Sequence, residues 1–262
     1  ALALLSTLFR HKSKIIVSRR VDFKIKDNWL SKFKFNHSKV IKYICVSEEI
    51  ERILKVDLKQ PEKTVTIHSG INLNRFPSGD RSNILRDELN LDYFTFLNTA
   101  KEVIDKNNSY HFVAIGDGPL NKEIKTYCEE LNLSNHVHFT GFREDIPMIF
   151  KDLDLFLMTS KTEGLGTTLL DAAANKVPII STNAGGIPEF VIHQETGLLA
   201  NVGDYETLAR HILTLLKDFT TKHNLVENAY NKLVAEFTKE TTAIKTIKIY
   251  EQINNEVTFK SS

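Results

Sequence analysis

The chain alternates short β-branched apolar runs, polar punctuation by Gly, Ser or Asn, and stretches of helical period, and this alternation predicts an α/β fold. Strands are expected at Lys14–Ser18, Ile41–Ser47, Thr64–His68, His111–Gly116, Val137–Thr140, Leu153–Met158 and Val177–Thr182. Their apolar runs are continuous and lie between helices, which places them in a parallel sheet covered on both faces. Helix starts carry their own signals. Ser47 precedes Glu48 and Glu49, Pro119 opens Leu120–Leu131, and Asp204 precedes Tyr205–Leu216, while a Gly-containing turn leads into Thr167–Asn175. Two further helices are expected around Lys222–Phe237 and Lys239–Asn254. The stripes Leu208, Ile212, Leu215 and Ile244, Ile247, Ile253 should face the core.

The strands fall into two groups separated by the turn-rich stretch from Gly70 to Ser82, which contains Pro77, Ser78 and Gly79. We place an N-terminal domain at residues 1–75 and a second domain at 76–238, with a C-terminal helix at 239–256 packing back on the first. No repeat or long flexible linker separates the halves, so they are expected to form one cleft. One stretch breaks the pattern. Ile84–Leu89 reads as a helix start, and Asn90-Leu91-Asp92 runs directly into Tyr93–Ile104, helical again, where a strand is expected. Ala1–Phe9 reads as mid-helix and the chain has no initiator Met, so the first strand of the N-terminal domain is expected to be missing.

Composition excludes several classes. At 262 residues, 42% apolar and 26% charged, the chain is neither disordered nor fibrous. No apolar run approaches the ~18 residues that a spanning helix needs. Cys45 and Cys128 lie far apart in apolar surroundings, which suits a reducing cytosol and offers neither a disulfide framework nor a metal knuckle. The net charge of +1 hides a division: residues 1–60 carry 14 Lys and Arg against 6 Asp and Glu, the remainder 20 against 27. A basic portion of this kind predicts an anionic partner, either a phospholipid surface or a phosphate-bearing substrate. Its aromatics (Phe9, Phe23, Trp29, Phe33, Phe35 and Tyr43) show no stacking pattern for single-stranded nucleic acid.

The segment Ser160-Lys161-Thr162-Glu163-Gly164-Leu165-Gly166-Thr167 follows a strand and opens a helix. In an open parallel sheet, ligands bind beyond the carboxyl ends of strands, and a Gly-containing turn there presents backbone N–H groups at a positive helix end. A phosphate fits such a place. Glu163 lies on the loop, and Asp171, eight residues on, can lean back toward the same pocket because helical side chains tilt to the amino end. Two carboxylates beside one anion site can accept hydrogen bonds from ribose and sugar hydroxyls.

From Val137 to Val202 the chain resembles the nucleotide-binding domain of the retaining, GT-B-fold glycosyltransferases of family four, also called group 1. The resemblance rests on Glu163 and Asp171 (an Asp where the family's hallmark has a second Glu), on Gly185-Gly186-Ile187-Pro188-Glu189 and on Thr196-Gly197-Leu198-Leu199. Upstream, Gly116-Asp117-Gly118-Pro119 and Gly141-Phe142-Arg143 fit the same pattern, and Ser69-Gly70-Ile71-Asn72, Phe76 and Ile44–Glu48 match more weakly. The resemblance implies an α/β fold of two Rossmann-like, doubly wound parallel-sheet domains facing a cleft, the N-terminal one incomplete. It implies transfer of a hexose-type sugar, with retention, from a nucleotide-sugar to a cell-envelope polysaccharide or glycolipid acceptor. Glu163 would be the catalytic residue holding donor sugar hydroxyls, and Gly164, Leu165, Gly166 and Thr167 would approach sugar and phosphate. Asp171 would bind ribose, and Gly116, Asp117, Gly118 and Arg143 would line the base. Arg19 and Arg20, which end the first strand, are expected to point into the cleft on the acceptor side. No cofactor and no metal are expected, no nucleic acid partner, and a cytoplasmic location peripheral to the inner membrane face.

The chain also departs from the family. The Arg and Lys-Gly that usually clamp the diphosphate have no counterpart, and their place is the Leu91-Asp92 junction. A non-catalytic nucleotide-sugar-binding or partner subunit of the same fold is therefore the alternative. Asp152-Leu153-Asp154 imitates a metal motif at a helix-to-strand corner where Asp is an ordinary turn residue, and His136 and His138 share a strand face without a third ligand.

Overall fold

The computed structural model of the chain describes residues 14–21, 24–76 and 93–259. The expected helical pieces at Ala1–Phe9 and Ile84–Leu89, the Leu91-Asp92 junction and residues 77–82 of the expected boundary lie outside them. The first sheet is parallel, in the order β1 (Ile15–Arg19), β2 (Val40–Cys45), β3 (Thr64–Thr66). Between β1 and β2 lies a short helix that the pattern missed, α1 (Trp29–Phe35). It buries no residue, and the alternation Lys32-Phe33-Lys34-Phe35 in a helix this short imitates a strand. Helix α2 (Glu48–Asp57) follows β2 and presents Ile50 and Leu54, one turn apart, to a core of Val40, Tyr43, Cys45 and Leu58.

Helix α3 (Tyr93–Lys106) leads into β4 (Phe112–Ala114), α4 (Asn121–Glu130), β5 (Val137–Phe139), a single turn α5 (Ile146–Ile149) and β6 (Phe156–Met158). Then come α6 (Thr167–Ala174), β7 (Ile179–Thr182), a second single turn α7 (Ile187–Phe190) and β8 (Leu198–Ala200). All strand ladders here are parallel, and among the described residues they form two sheets, β4-β5 and β6-β7-β8. Among the described residues no strand joins β4 to β6, and a cavity of about 840 Å³ lined by Phe112, Val113, Leu155, Leu157, Phe96 and Ile212 separates them. The two sheets share one core nonetheless. Leu97, Ala100 and Val103 of α3 pack with Leu208, Ile212 and Leu215 of α8 (Tyr205–Leu215) over Ala114, Val137, Leu157 and Ile180.

Helix α9 (Phe219–Glu236) buries Leu225, Ala229 and Leu233, and after Phe237 the chain turns into α10 (Lys239–Phe259). This turn lies beside the connection that leaves the first sheet. Ile71 N donates to Phe237 O at 3.0 Å and Lys239 N to Ile71 O at 2.9 Å, and a Cβ on Gly70 would stand 2.0 Å from Thr238 O, so only glycine fits there. Thr242 Oγ1 donates to His68 O at 2.9 Å. Ile244 and Ile247 are exposed, at 55% and 53%, which corrects the expectation that their stripe faces the core. The less exposed side of α10 carries Thr242, Thr246, Ile249 and Ile253 at helical spacing instead.

Candidate functional site

The loop from Thr159 to Gly166 joins β6 to α6 and is held from two sides. From the sheet, buried hydroxyls reach up: Ser181 Oγ donates to Met158 O (3.0 Å) and Thr182 Oγ1 to Ser160 O (2.7 Å). From above, the Gly185-Gly186 turn lies directly on the loop, with Gly186 N donating to Glu163 O at 3.0 Å. A Cβ on Gly185 would stand 1.9 Å from that same oxygen, and one on Gly186 2.2 Å from Gly164 O. The paired glycines therefore exist for close backbone approach, which fixes the height of Glu163 and Gly164.

Helix α6 starts at Gly166, in the left-handed region at φ 76°, and no side chain caps it. Thr167, its first residue, is exposed, so the positive helix end is open. Glu163 folds over this end: its Cγ lies 3.5 Å from where a Cβ on Gly166 would be, and its Oε1 accepts from Gly164 N at 2.9 Å. Leu165 turns inward, 2% exposed, so any ligand meets only its backbone. Asp171 sits one turn below Thr167 and is 7% exposed. Its Oδ1 is buried and accepts no hydrogen bond. Burial pushes its carboxyl up to about 6, partly offset by the Arg75 guanidinium. A buried carboxylate oxygen without a donor is rare in native proteins. Here it lies one turn below a helix end that no side chain caps.

The structure places Glu163, Gly164, Gly166 and Thr167 at that helix end, with Asp171 one turn further along α6. The remaining donor-side candidates form a second group at the ends of β4 and β5. Gly116, at φ 126°, pairs with Gly141 in an isolated antiparallel bridge. Asp117 is engaged locally, accepting from Gly118 N and Asn121 Nδ2, both at 2.8 Å, and those bonds hold its carboxyl below the usual range. Arg143 pairs with Asp145 at 3.2 Å. On the other side of the cleft, Arg20 Nη2 donates to Ser69 Oγ at 3.2 Å, and its carbonyl lies 3.3 Å from where a Cβ on Gly164 would be. Arg19 turns elsewhere, which corrects its expected direction into the cleft. Its Nε donates to Val21 O at 3.0 Å and its guanidinium lies 5.6 Å from the centroid of Phe35. Alternation along a strand explains the split between neighbours.

Two residues escaped the sequence reading. Arg75, in a 3₁₀ turn at Leu73–Arg75, is the cation whose field reaches Asp171. Glu189, recognised only as the end of a turn motif, crosses to the first sheet's side: its carboxylate accepts from Glu48 N (2.8 Å) and Glu49 N (3.0 Å) at the start of α2. His68 Nε2 lies 2.7 Å from the same carboxylate. Local patterns carry no signal for a contact spanning 141 residues. Among the decoys, His138 Nε2 lies 3.1 Å from His111 Nδ1 and His136 Nδ1 3.3 Å from Tyr110 O. Among the described residues no cluster of three or more His, Cys, Asp or Glu could hold a metal ion.

The family model of glycosyl transferases group 1 matches residues 86–232, a stretch that contains every donor-side candidate. The N-acetyl-alpha-D-glucosaminyl L-malate synthase of Bacillus anthracis is 35% identical over 143 residues, which cover 55% of this chain and 36% of that protein. The UDP-Gal:alpha-D-GlcNAc-diphosphoundecaprenol alpha-1,3-galactosyltransferase of Escherichia coli is 26% identical over 261 residues, covering 90% of this chain and 67% of that protein. Thus the chain spans little more than a third of the B. anthracis relative. The crystal structure of Anabaena HepE in complex with UDP-glucose superposes with a TM-score of 0.84 at 20% identity, covering 95% of this chain and 75% of that one, and it supports the GT-B fold. With the fold in place and the family model spanning more than half of its length, the chain belongs to the glycosyl transferases group 1 family.

Proposed function

We propose that this chain serves a retaining glycosyltransferase that moves a hexose-type sugar from a nucleotide-sugar to a cell-envelope polysaccharide or glycolipid acceptor at the cytoplasmic membrane face. The observation that carries the reading is the buried Asp171 Oδ1, left without a donor one turn into α6, whose amino end no side chain caps. A ribose hydroxyl donating to Asp171 would satisfy that oxygen. The diphosphate would lie against the first-turn N–H groups of α6, where backbone amides and the helix dipole stabilise charge that builds on the leaving group. Glu163 would accept from donor sugar hydroxyls. Gly116, Asp117, Gly118 and Arg143 would border the base, with Arg20 on the acceptor side. The chemistry needs no metal in this reading.

A second reading, a nucleotide-sugar-binding partner subunit, is favoured by Asp171 in the place of a second Glu and by the lack of an Arg or Lys-Gly at the Leu91-Asp92 junction. Nucleotide-sugar titration by thermal shift, followed by a transfer assay, separates the two. Saturation at about 100 times the dissociation constant adds roughly 2.7 kcal/mol of stability under either reading. Transfer that disappears in Glu163→Ala with donor stabilisation retained supports the enzyme, and full turnover in that variant refutes the role of Glu163. Donor binding without any transfer by the unaltered protein favours the subunit.

A further inference from the structure

We propose that α1 and the loop ahead of it dock onto an anionic phospholipid bilayer. The inference deepens the membrane location proposed above and rests on that location, not on the transfer chemistry. Trp29, Leu30 and Phe33 are exposed by 78%, 61% and 58%, although each is large and apolar. On a helix they share an arc of about 100°, with Lys32 on one border and Lys34 on the other. Lys24 and Lys26 are exposed just before the helix. Between Lys14 and Lys42 the only acidic residues are Asp22 and Asp27, and Asp27 is already held by Lys32 at 2.5 Å. Asp57, which accepts from Ile25 N at 3.1 Å and whose field reaches Lys32, offsets one further charge, and Lys24, Lys26 and Lys34 still leave the apolar patch in a net positive surround.

The rest of α1 is fixed to the protein, so the patch is presented rather than loose. Asn28 Oδ1 caps the helix by accepting from Ser31 N (2.8 Å), and at its other end Asn36 Oδ1 accepts from Lys59 N (2.6 Å). Phe35 packs against the core of the first sheet on the opposite side. A surface with Trp and Phe at its centre and Lys at its border suits the bilayer interface: the rings enter the headgroup boundary and the lysines stretch to lipid phosphates. Charge complementarity selects anionic lipid over a neutral bilayer.

Trp29 is the only tryptophan, so its fluorescence reports this face alone. Vesicles of phosphatidylglycerol with phosphatidylcholine should shift Trp29 emission to the blue. Vesicles of phosphatidylcholine alone should shift it far less, and about 1 M salt should release the protein, because the screening length then falls to ~3 Å. Lys24→Gln and Lys26→Gln should each weaken binding roughly five-fold, which corresponds to ~1 kcal/mol per lysine near a charged membrane. Leu30→Ser combined with Phe33→Ser, both at exposed positions, should abolish the shift. The proposal is overturned by an absence of shift on phosphatidylglycerol vesicles, or by undiminished binding in the Leu30→Ser/Phe33→Ser variant. It is equally overturned if Trp29 emission follows protein concentration without lipid, which assigns the face to a second copy. Nucleotide-sugar thermal shifts on the same preparation report the donor site separately, so failure on vesicles leaves that reading standing.

Discussion

Replacing Glu189 by alanine tests how the two halves of the molecule are joined. The first N–H groups of a helix have no partner within it, and in α2 each has found one. Glu48 N and Glu49 N donate to the Glu189 carboxylate at 2.8 and 3.0 Å, and Ile50 N donates to Ser47 Oγ at 3.2 Å. Glu51 N donates to Ser47 O at 3.1 Å, the first bond of the helix itself. Hydrogen bonds to a charged group contribute ~1.5–3 kcal/mol each, and a negative group at a helix amino end adds ~0.3–1 kcal/mol. Glu189 and His68 side chains are 14% and 18% exposed, so water replaces part of what is lost. We expect Glu189→Ala to cost about 2–3 kcal/mol, against about 1 kcal/mol for Ser47→Ala, which removes one capping bond only. In a chain of this size that is roughly 4–12 °C in melting temperature, readable by circular dichroism. A Glu189→Ala protein that melts within about 1 °C of its parent, or that loses less than Ser47→Ala, refutes the reasoning.

Asp171 gives a pH signature. Its folded-state carboxyl is raised to about 6, so between about pH 4 and 6 the folded protein keeps a proton that the unfolded chain has lost. Stability should therefore fall by about 3 kcal/mol over that window as pH rises, and Asp171→Asn should flatten the slope. Equal slopes in variant and parent would remove this account of Asp171. Gly185→Ala should destabilise by more than about 2 kcal/mol and weaken donor binding, because its Cβ meets Glu163 O at 1.9 Å in a left-handed backbone. Gly118→Ala is the control: its Cβ would meet nothing within 4 Å, and a loss as large as that of Gly185→Ala would count against the steric argument. Transfer activity should survive chelation by EDTA, and activity that vanishes with the chelator would return Asp152 and Asp154 to consideration as metal ligands.

The order of elements was legible because each apolar run ends in a turn residue that stops it, as Ser47 and Asp204 show. Strand lengths were less so. His111–Gly116 reads as one run, but only Phe112–Ala114 pairs, since a ladder extends only as far as its neighbour does. The loop of Glu163 was legible for a local reason, as its glycines, acid and helix start lie within a few residues. The device that holds it was not, because the Gly185-Gly186 turn acts through backbone contact and Glu189 through a reach across the cleft. Arg19 and Arg20 show the limit from the other side: adjacency in sequence says nothing about direction until the strand is set in its sheet.

The pairing of Ile71 with Phe237 and Lys239 makes the end of the chain part of its beginning. A stop codon placed ahead of Phe237 would take away the partners of Ile71 N and Ile71 O together, and with them the ring that packs against His68. Such a truncation should therefore loosen the exit from the first sheet and not trim a tail alone.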